Sequence, residues 1–266
     1  MATPRQDPTA AAARSQAPAV QTLSLGDILQ VLGAGLRDFR AAPGYGLVVG
    51  LACACVGWGL LLLLLYFELP FLVYPLAAGF AFVAPFVVTL LYAVSRALEQ
   101  GQPPSWRHVL GAVRHAAGRD LGWMALVTGF ALFIWMDIAA LLFFGFMGLH
   151  SFSAPELLRV IFTTPSGLLF LVIGNGVGAV LSVAVFSFSV ISFPMLFDRD
   201  ADFVTAMIVS VQVVLANPLP MLIWCATIAG LIALSLLSGL VALIVVLPVL
   251  GHASWHLYRR AVAPAP

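Results

Sequence analysis

Charged residues are scarce in this chain of 266 residues: they make up 9% of the sequence, whereas hydrophobic residues make up 62%. The mean hydropathy is +1.07. Soluble domains carry about 25% charged residues, so this composition excludes an ordinary soluble protein. The net charge of +1 gives no reason to expect a nucleic-acid partner. Lysine is absent and every basic residue is arginine, which we interpret as GC-rich coding bias and as an indication of a bacterial source.

Catalytic motifs and cysteines are also scarce. No GxSxG, HExxH, phosphate-binding P-loop or CxxC motif occurs, so we expect a protein that is not an enzyme and that holds no cofactor and no metal ion. Cys53, Cys55 and Cys225 all fall in long apolar stretches and are interpreted as packing residues. The acidic segment 198–202 is similar to carboxylate clusters that bind Mg²⁺, but it lacks a second cluster and contains an arginine, which favours a loop and a helix start.

Long apolar stretches dominate the rest of the chain. Each is near 20 residues, which is enough to cross ~30 Å of hydrocarbon as a helix. They predict an all-α polytopic membrane protein with six transmembrane helices in three helical hairpins. The predicted spans are roughly 45–66, 71–94, 121–144, 167–193, 219–237 and 240–257.

A short helix is predicted before each hairpin. In the first, Ser24 and Asp27 have capping-box spacing. An apolar stripe follows, and we interpret this helix as lying in the membrane interface, the alternative being a helix packed on a partner protein. A second short helix starts at 103–105, and a third is predicted at 203–216, capped by Asp202 and buried more deeply. The stripe of the first helix consists of Leu25, Ile28, Leu29, Leu32, Leu36 and Phe39, with Arg37, Asp38 and Arg40 off it.

These elements define the expected domain organisation. A disordered tail is predicted over 1–22, a membrane domain over 23–262 and a short tail over 263–266. Prolines recur in the even-numbered spans, and each is followed four residues later by a polar residue. We therefore expect three repeats around a pseudo-threefold arrangement, at about 24–98, 104–197 and 202–260. The prolines and their polar followers are Pro85 with Thr89, Pro194 with Asp198, and Pro248 with His252.

The arginines indicate the orientation. With six spans, every arginine except Arg159 falls on one side. The positive-inside rule then places both termini in the cytoplasm, and the protein is predicted to be multi-pass in the bacterial inner (plasma) membrane.

Several segments in the second half of the chain resemble one family. The chain is similar here to an uncharacterised family of bacterial predicted integral membrane proteins, a domain-of-unknown-function family with six helices. The resemblance covers about 23–262 and implies an inner-membrane location, but it implies no activity, substrate or binding residue. The segments that carry it are Phe193-Pro194, Asp198-Arg199-Asp200, Ala206, Ser210, Asn217-Pro218, and Pro248 through Gly251-His252-Ala253-Ser254-Trp255-His256-Leu257-Tyr258-Arg259.

Two polar residues fall deep inside predicted spans. Asp137 and Asn175 lie roughly 10–12 Å from the outer ends of spans three and four, close enough in depth to hydrogen-bond across the hairpin. An aspartate there costs about 2.5–3.5 kcal/mol on insertion scales, so it should face protein or water. It is either a proton or cation site or a structural hydrogen-bonding group.

A second candidate site is a polar cluster at the cytoplasmic mouth, made of Thr89, Asp198, Arg199, His252 and His256. The simpler alternative is an ion-pair lock joining Asp198 to His252 or Arg199. The two histidines are four residues apart, a spacing that can hold a metal or haem, but their aromatic neighbours are typical of the membrane interface.

The function expected is transport or permeation of a small solute or ion. The alternative is a non-catalytic accessory or assembly subunit of a larger membrane complex, for example a respiratory one, and an enzyme acting on lipid-borne substrate ranks third. The partners expected are the lipid bilayer and a membrane protein or further copies of this chain. A continuous polar path from Asp137 to His252 would favour transport, whereas a solid interior with Gly46 and Gly50 exposed would favour the accessory role.

Overall fold

The computed structural model describes residues 18–118, 120–149 and 152–264, without the side chain of Ala81. The regular structure of these residues is helical apart from one isolated β-bridge, so the predicted all-α class is confirmed. A short 3₁₀ turn, Pro70–Leu72, lies between the second and third helices. The helices are α1 (Leu25–Ala41), α2 (Pro43–Tyr66), α3 (Val73–Glu99), α4 (Trp106–Ala117), α5 (Leu121–Met147), α6 (Ala154–Thr163), α7 (Pro165–Ser189), α8 (Ser192–Asp198), α9 (Phe203–Ala216), α10 (Pro218–Leu237) and α11 (Leu243–Ala261).

Five helical segments in the described residues are long and apolar enough to cross a membrane, which makes the chain a multi-pass membrane protein. The sixth predicted span, α11, is not among them, so the count of six is not confirmed. Its first half is apolar, but its second half carries two histidines and ends on Arg259 and Arg260, which lowers its mean hydropathy. The five segments are Pro43–Tyr66, Phe82–Glu99, Leu121–Met147, Pro165–Asp198 and Pro218–Leu237.

Helix α11 lies at the centre of the structure. Most of its residues are buried, and it packs against α1, α2 and α3. Glycines allow the close approach: a Cβ on Gly35 would lie 2.6 Å from the carbonyl oxygen of Val249, and one on Gly50 would overlap Ile244. Gly46 and Gly50 therefore serve close helix packing: they are buried under α11 and do not form the exposed face that would have favoured an accessory role.

The predicted capping box of α1 is confirmed. The Asp27 amide donates to Ser24 Oγ at 3.2 Å, and the Ser24 amide donates to Asp27 Oδ2 at 2.7 Å. The apolar stripe divides between two environments: Ile28 is buried, whereas Leu25 is 47% and Leu29 72% exposed. Only part of the predicted stripe therefore serves the packing of α1 within the protein.

The three prolines of the even-numbered spans are not equivalent. Pro85 and Pro248 lie inside continuous helices, whereas a turn at 190–191 precedes Pro194 and divides the predicted fourth span into α7 and α8. At this turn the amide of Ile191 donates to Ser210 Oγ of α9 at 3.2 Å. A hydroxyl from a neighbouring helix thus supplies the acceptor that the broken helix lacks.

The loop expected between spans three and four contains a helix that the sequence analysis missed. Helix α6 is only ten residues long, with Pro155 in its first turn and one fully buried side chain, Leu157. Leu157 packs with Phe143 and Met147 at the end of α5. Its apolar residues recur at helical spacing, but ten residues are too few for that pattern to be told apart from a loop in the sequence.

The two ends of the described chain lie side by side. Val20 forms an antiparallel bridge with Val262, and the Gln21 amide donates to the Ala261 carbonyl at 2.9 Å. Asn217 Oδ1 accepts a further hydrogen bond from the Leu23 amide at 2.6 Å. The expectation of disorder over 1–22 is therefore wrong for 18–22, and the expected tail at 263–266 begins with a residue, Ala263, whose amide bonds Ala19. Residues 1–17 and 265–266 lie outside the described part of the chain.

Candidate functional site

Four side chains from three helices form what we call the Asp38 cluster: Asp38 of α1, Ser95 of α3, and His252 and His256 of α11. Ser95 Oγ donates to Asp38 Oδ2 at 2.7 Å and lies 2.8 Å from His252 Nδ1. His256 Nε2 lies 2.8 Å from the same carboxylate oxygen of Asp38. Ser95 and His252 are both fully buried. The cluster therefore joins a buried histidine to a partly exposed one through a hydroxyl and a carboxylate.

The hydrogen bonds fix the proton positions within the Asp38 cluster. Because the Ser95 hydroxyl proton points to Asp38, His252 Nδ1 is the donor to Ser95 Oγ. In the neutral ring, His252 Nε2 is then a bare acceptor, and it has no hydrogen-bond partner among the described residues.

The electrostatics of the cluster keep Asp38 ionised. Burial by itself raises the pKa of the Asp38 carboxyl, but hydrogen bonds from His256 and Ser95 and the charge of the two histidines outweigh burial. The pKa of Asp38 is therefore held below its usual 3.8. At neutral pH the carboxylate is charged and accepts from both neighbours.

A second group, which we call the Tyr258 cluster, comprises Asp198, Arg199, Tyr258, Glu99 and Arg259. The Tyr258 hydroxyl donates to Asp198 Oδ2 at 2.8 Å and accepts from Arg199 Nε at 2.7 Å. Arg259 Nε donates to Glu99 Oε1 at 3.1 Å, and its Nη1 lies 3.6 Å from Asp198. Charges from α3, α8 and α11 are thus neutralised around one buried phenol.

The five residues predicted at the cytoplasmic mouth therefore belong to separate arrangements. His252 and His256 are in the Asp38 cluster, and Asp198 and Arg199 are in the Tyr258 cluster. The Thr89 hydroxyl donates to the Pro85 carbonyl of its own helix at 2.9 Å. No hydrogen bond or ion pair joins Asp198 to His252 in the described chain. Asp198 instead accepts a hydrogen bond from the Tyr258 hydroxyl, which itself accepts one from Arg199.

The histidine pair does not converge on a common point, since one ring bonds Ser95 and the other bonds Asp38. Within the described ranges, no group of three or more His, Cys, Asp or Glu side chains is placed to hold a metal ion. In the acidic segment, Asp202 Oδ1 accepts from the Thr205 amide at 2.8 Å and caps α9 as predicted. Hydrogen bonds from Thr205 also lower the pKa of Asp202.

The deep polar residues of α5 and α7 lie apart from both clusters. Asp137 is exposed on α5 and makes no hydrogen bond or ion pair with any described residue. Asn175 Oδ1 accepts from the Tyr74 hydroxyl at 2.8 Å, and its Nδ2 donates to the Leu171 carbonyl. Although their similar depth allowed a hydrogen bond between Asp137 and Asn175, none joins them among the described residues.

A large apolar cavity, which we call the distal cavity, occupies the end of the bundle away from the paired chain ends. Its volume is about 980 Å³, and α2, α3, α5, α7 and α10 line it. The polar groups in its wall are already paired: Trp58 Nε1 donates to the Gly239 carbonyl at 2.6 Å, and Tyr74 bonds Asn175. The cavity therefore offers apolar contact to an occupant.

Asp38 and Ser95 were not predicted as site residues. Asp38 was placed off the apolar stripe of α1, yet Ile28, Val31, Gly35 and Asp38 follow one another at spacings of about one helical turn and share a face. Gly35 could have indicated that this face is buried, because a small residue marks the face where another helix approaches closely. Ser95 carried no comparable signal.

The segment from α3 to α8 contains Ser95, Asp137 and Asn175. It also contains three of the five candidate membrane spans. Residues 73–198 match the model of a family described as predicted integral membrane protein, DUF2189. The resemblance inferred from the sequence is confirmed over this segment, which is somewhat less than half of the chain. Of the residues that carried the resemblance, only 193–194 and Asp198 lie inside the match, and the others lie outside it, as does Asp38. No curated protein and no solved structure matches the chain.

Proposed function

We propose that this chain is a six-span protein of the bacterial inner membrane that binds a hydrophobic, lipid-like molecule in the distal cavity and serves its permeation. The small-solute transport expected from the sequence is retained in this narrower form. The observation that carries the proposal is the distal cavity itself, about 980 Å³ in volume and apolar in its lining. Small-molecule sites in proteins span about 300–1,000 Å³, so the volume suits one lipid-sized occupant.

A sixth crossing is supported by the bridge between Val20 and Val262. Five crossings would put these two residues on opposite faces of the bilayer, whereas their pairing requires an even number. Helix α11 is the remaining long helix, and its 19 residues extend about 28 Å. Together with the arginine distribution, a sixth crossing supports cytoplasmic termini and a distal cavity toward the outer leaflet.

The arrangement in three hairpins is supported by neighbouring contacts. Helix α2 packs on α3, α5 on α7, and α10 on α11, each pair joining consecutive spans of the proposed topology. The turn that precedes Pro194 breaks the helix of the middle unit, which makes this unit the least regular of the three proposed repeats.

Ion permeation is less well supported than binding of a hydrophobic molecule. Asp137 does not line the distal cavity, and the end of the bundle near the chain termini is filled by buried aromatic side chains, including Trp224, Trp255 and Tyr258. A polar path from Asp137 to His252 therefore has no support, and an apolar occupant suits the cavity better than a hydrated ion.

Two glycines of α7 allow a matched test. Gly174 lines the distal cavity and Gly176 does not, yet both have open space where a Cβ would lie. In Gly174→Leu the added side chain enters the cavity, so binding of a fluorescent fatty-acid probe to the purified full-length protein is expected to weaken. Gly176→Leu is expected to bind the probe like wild type. Equal binding by both variants would contradict the proposal.

The alternative function, an accessory subunit of a membrane complex, is favoured by the position of Asp137. A carboxyl on the exposed face of an apolar span costs about 2.5–3.5 kcal/mol on insertion scales, and a covering protein relieves that cost. Mild-detergent copurification of wild type and Asp137→Leu, followed by mass spectrometry, tests this alternative. A partner that is retained by wild type and lost by the variant supports it, and identical copurified sets argue against it.

A further inference from the structure

A groove of about 610 Å³ runs between α1 and α11 at the end of the bundle where the chain termini pair. We call it the basic groove, because cationic side chains predominate among its polar groups. Its principal lining residues are Leu29, Gln30, Arg37, His256, Arg259 and Arg260. It lies at the opposite end of the bundle from the distal cavity, and the two share no lining residue.

The arginines of the basic groove differ in how far they are neutralised. Arg259 is paired with Glu99 and Asp198, and Arg260 is paired with Asp27. Arg37 makes no hydrogen bond or ion pair with any described residue. The groove therefore carries one uncompensated guanidinium, that of Arg37, beside two that carboxylates neutralise, and the uncompensated guanidinium favours an anion.

The rim of the groove is apolar. Leu29 lines it, and this side chain and Leu25, one turn earlier on α1, are among the exposed large hydrophobic residues. A free inorganic anion gains nothing from exposed leucines. A lipid presents both groups that this surface suits, a phosphate for the arginine and an acyl chain for the leucines.

We propose that the basic groove binds the phosphate-bearing headgroup of an anionic membrane lipid. Arg37 contacts the phosphate, the carboxylate-paired Arg259 and Arg260 on the facing helix offer their remaining N–H donors, and Leu29 contacts the start of the acyl chain. Phosphate is the chemistry recognised, and the lipid headgroup is its source.

Helix α1 supplies a matched pair of variants. Arg37→Gln removes the uncompensated charge inside the basic groove, and Arg40→Gln removes the same charge one turn later at an exposed position outside it. The detergent-solubilised full-length protein is titrated with phosphatidylglycerol or phosphatidylcholine, and lipid-bound protein is counted by native mass spectrometry. Melting temperatures of both variants verify that the fold is retained.

Wild type is expected to prefer phosphatidylglycerol over phosphatidylcholine. Arg37→Gln is expected to bind phosphatidylglycerol about fivefold more weakly, the effect of one arginine at an anionic surface, and Arg40→Gln about as well as wild type. Equal affinity for the two lipids, or equal losses in the two variants, would overturn the proposal. Displacement of the lipid by millimolar inorganic phosphate would also overturn it, by identifying free phosphate as the source.

Discussion

His256 Nε2 and Asp38 Oδ2 lie 2.8 Å apart although 218 positions separate the two residues in the chain. This contact joins the last helix to the first. Ser95 bonds the same carboxylate oxygen from α3, so one aspartate organises three helices at the end of the bundle where the chain termini meet.

The first prediction concerns the stability that Asp38 provides. Asp38→Asn removes the charge that both His256 and Ser95 bond, so the free energy of unfolding should fall by about 1–3 kcal/mol. Thermal unfolding of the detergent-solubilised protein measures the change. Glu156→Gln, an exposed carboxylate change on α6, is the control and should lower the melting temperature little. Equal melting of Asp38→Asn and wild type would show that the cluster does not stabilise the fold.

The second prediction is the pH dependence of that effect. The pKa of Asp38 in the folded protein lies below its usual 3.8, so its stabilising contribution is present above pH 3.8 and is lost as the pH falls through the folded-state value. The difference in melting temperature between wild type and Asp38→Asn should be full at pH 7 and should shrink below about pH 3.8. If the difference in melting temperature grew on acidification, the pKa of Asp38 would be raised by folding and not lowered.

The third prediction concerns the glycines that bring α2 close to α11. A Cβ on Gly50 would overlap the carbonyl of Ile244, so Gly50→Ala should force the helices apart and cost about 1–3 kcal/mol. Gly59 is on the same helix with open space around it, and Gly59→Ala should be neutral or slightly stabilising. Thermal unfolding compares the two, and equal melting temperatures would place the helices farther apart than described.

The fourth prediction concerns proton flux. Asp137 belongs to neither polar cluster and does not line the distal cavity, so Asp137→Asn in proteoliposomes should leave any proton flux unchanged. A pH-sensitive dye trapped inside the vesicles measures that flux. If wild type showed proton flux and an equally reconstituted Asp137→Asn variant did not, Asp137 would be part of a proton pathway.

Local features of the fold could be predicted from the sequence, because their causes are a few residues apart. Examples are the Ser24–Asp27 capping box, the Asp202 cap and the first and last residues of α9. All three follow from side chains that bond or pack against their own helical turn. The close packing at Gly50 also has a local cause, because a glycine inside an apolar helix lets another helix approach closely.

The candidate sites could be predicted only in part. The histidines of α11 were identified from their spacing, but their partners come from α1 and α3, and no local pattern indicates which carboxylate they meet. The distal cavity left no signal at all, because its lining residues are the same apolar types that face lipid. The position of Asp198 beside Tyr258 and not His252 likewise depends on how α8 docks after the turn at 190–191.

A membrane crossing by α11, as proposed, would put the basic groove and the distal cavity on opposite sides of the bilayer. Topology reporters fused after Ser238, in the turn before α11, and after the last residue of the full chain test it directly. We predict that the first fusion reports the periplasm and the second the cytoplasm. Two fusions that report the same side would contradict the sixth crossing and with it the proposed sidedness of both sites.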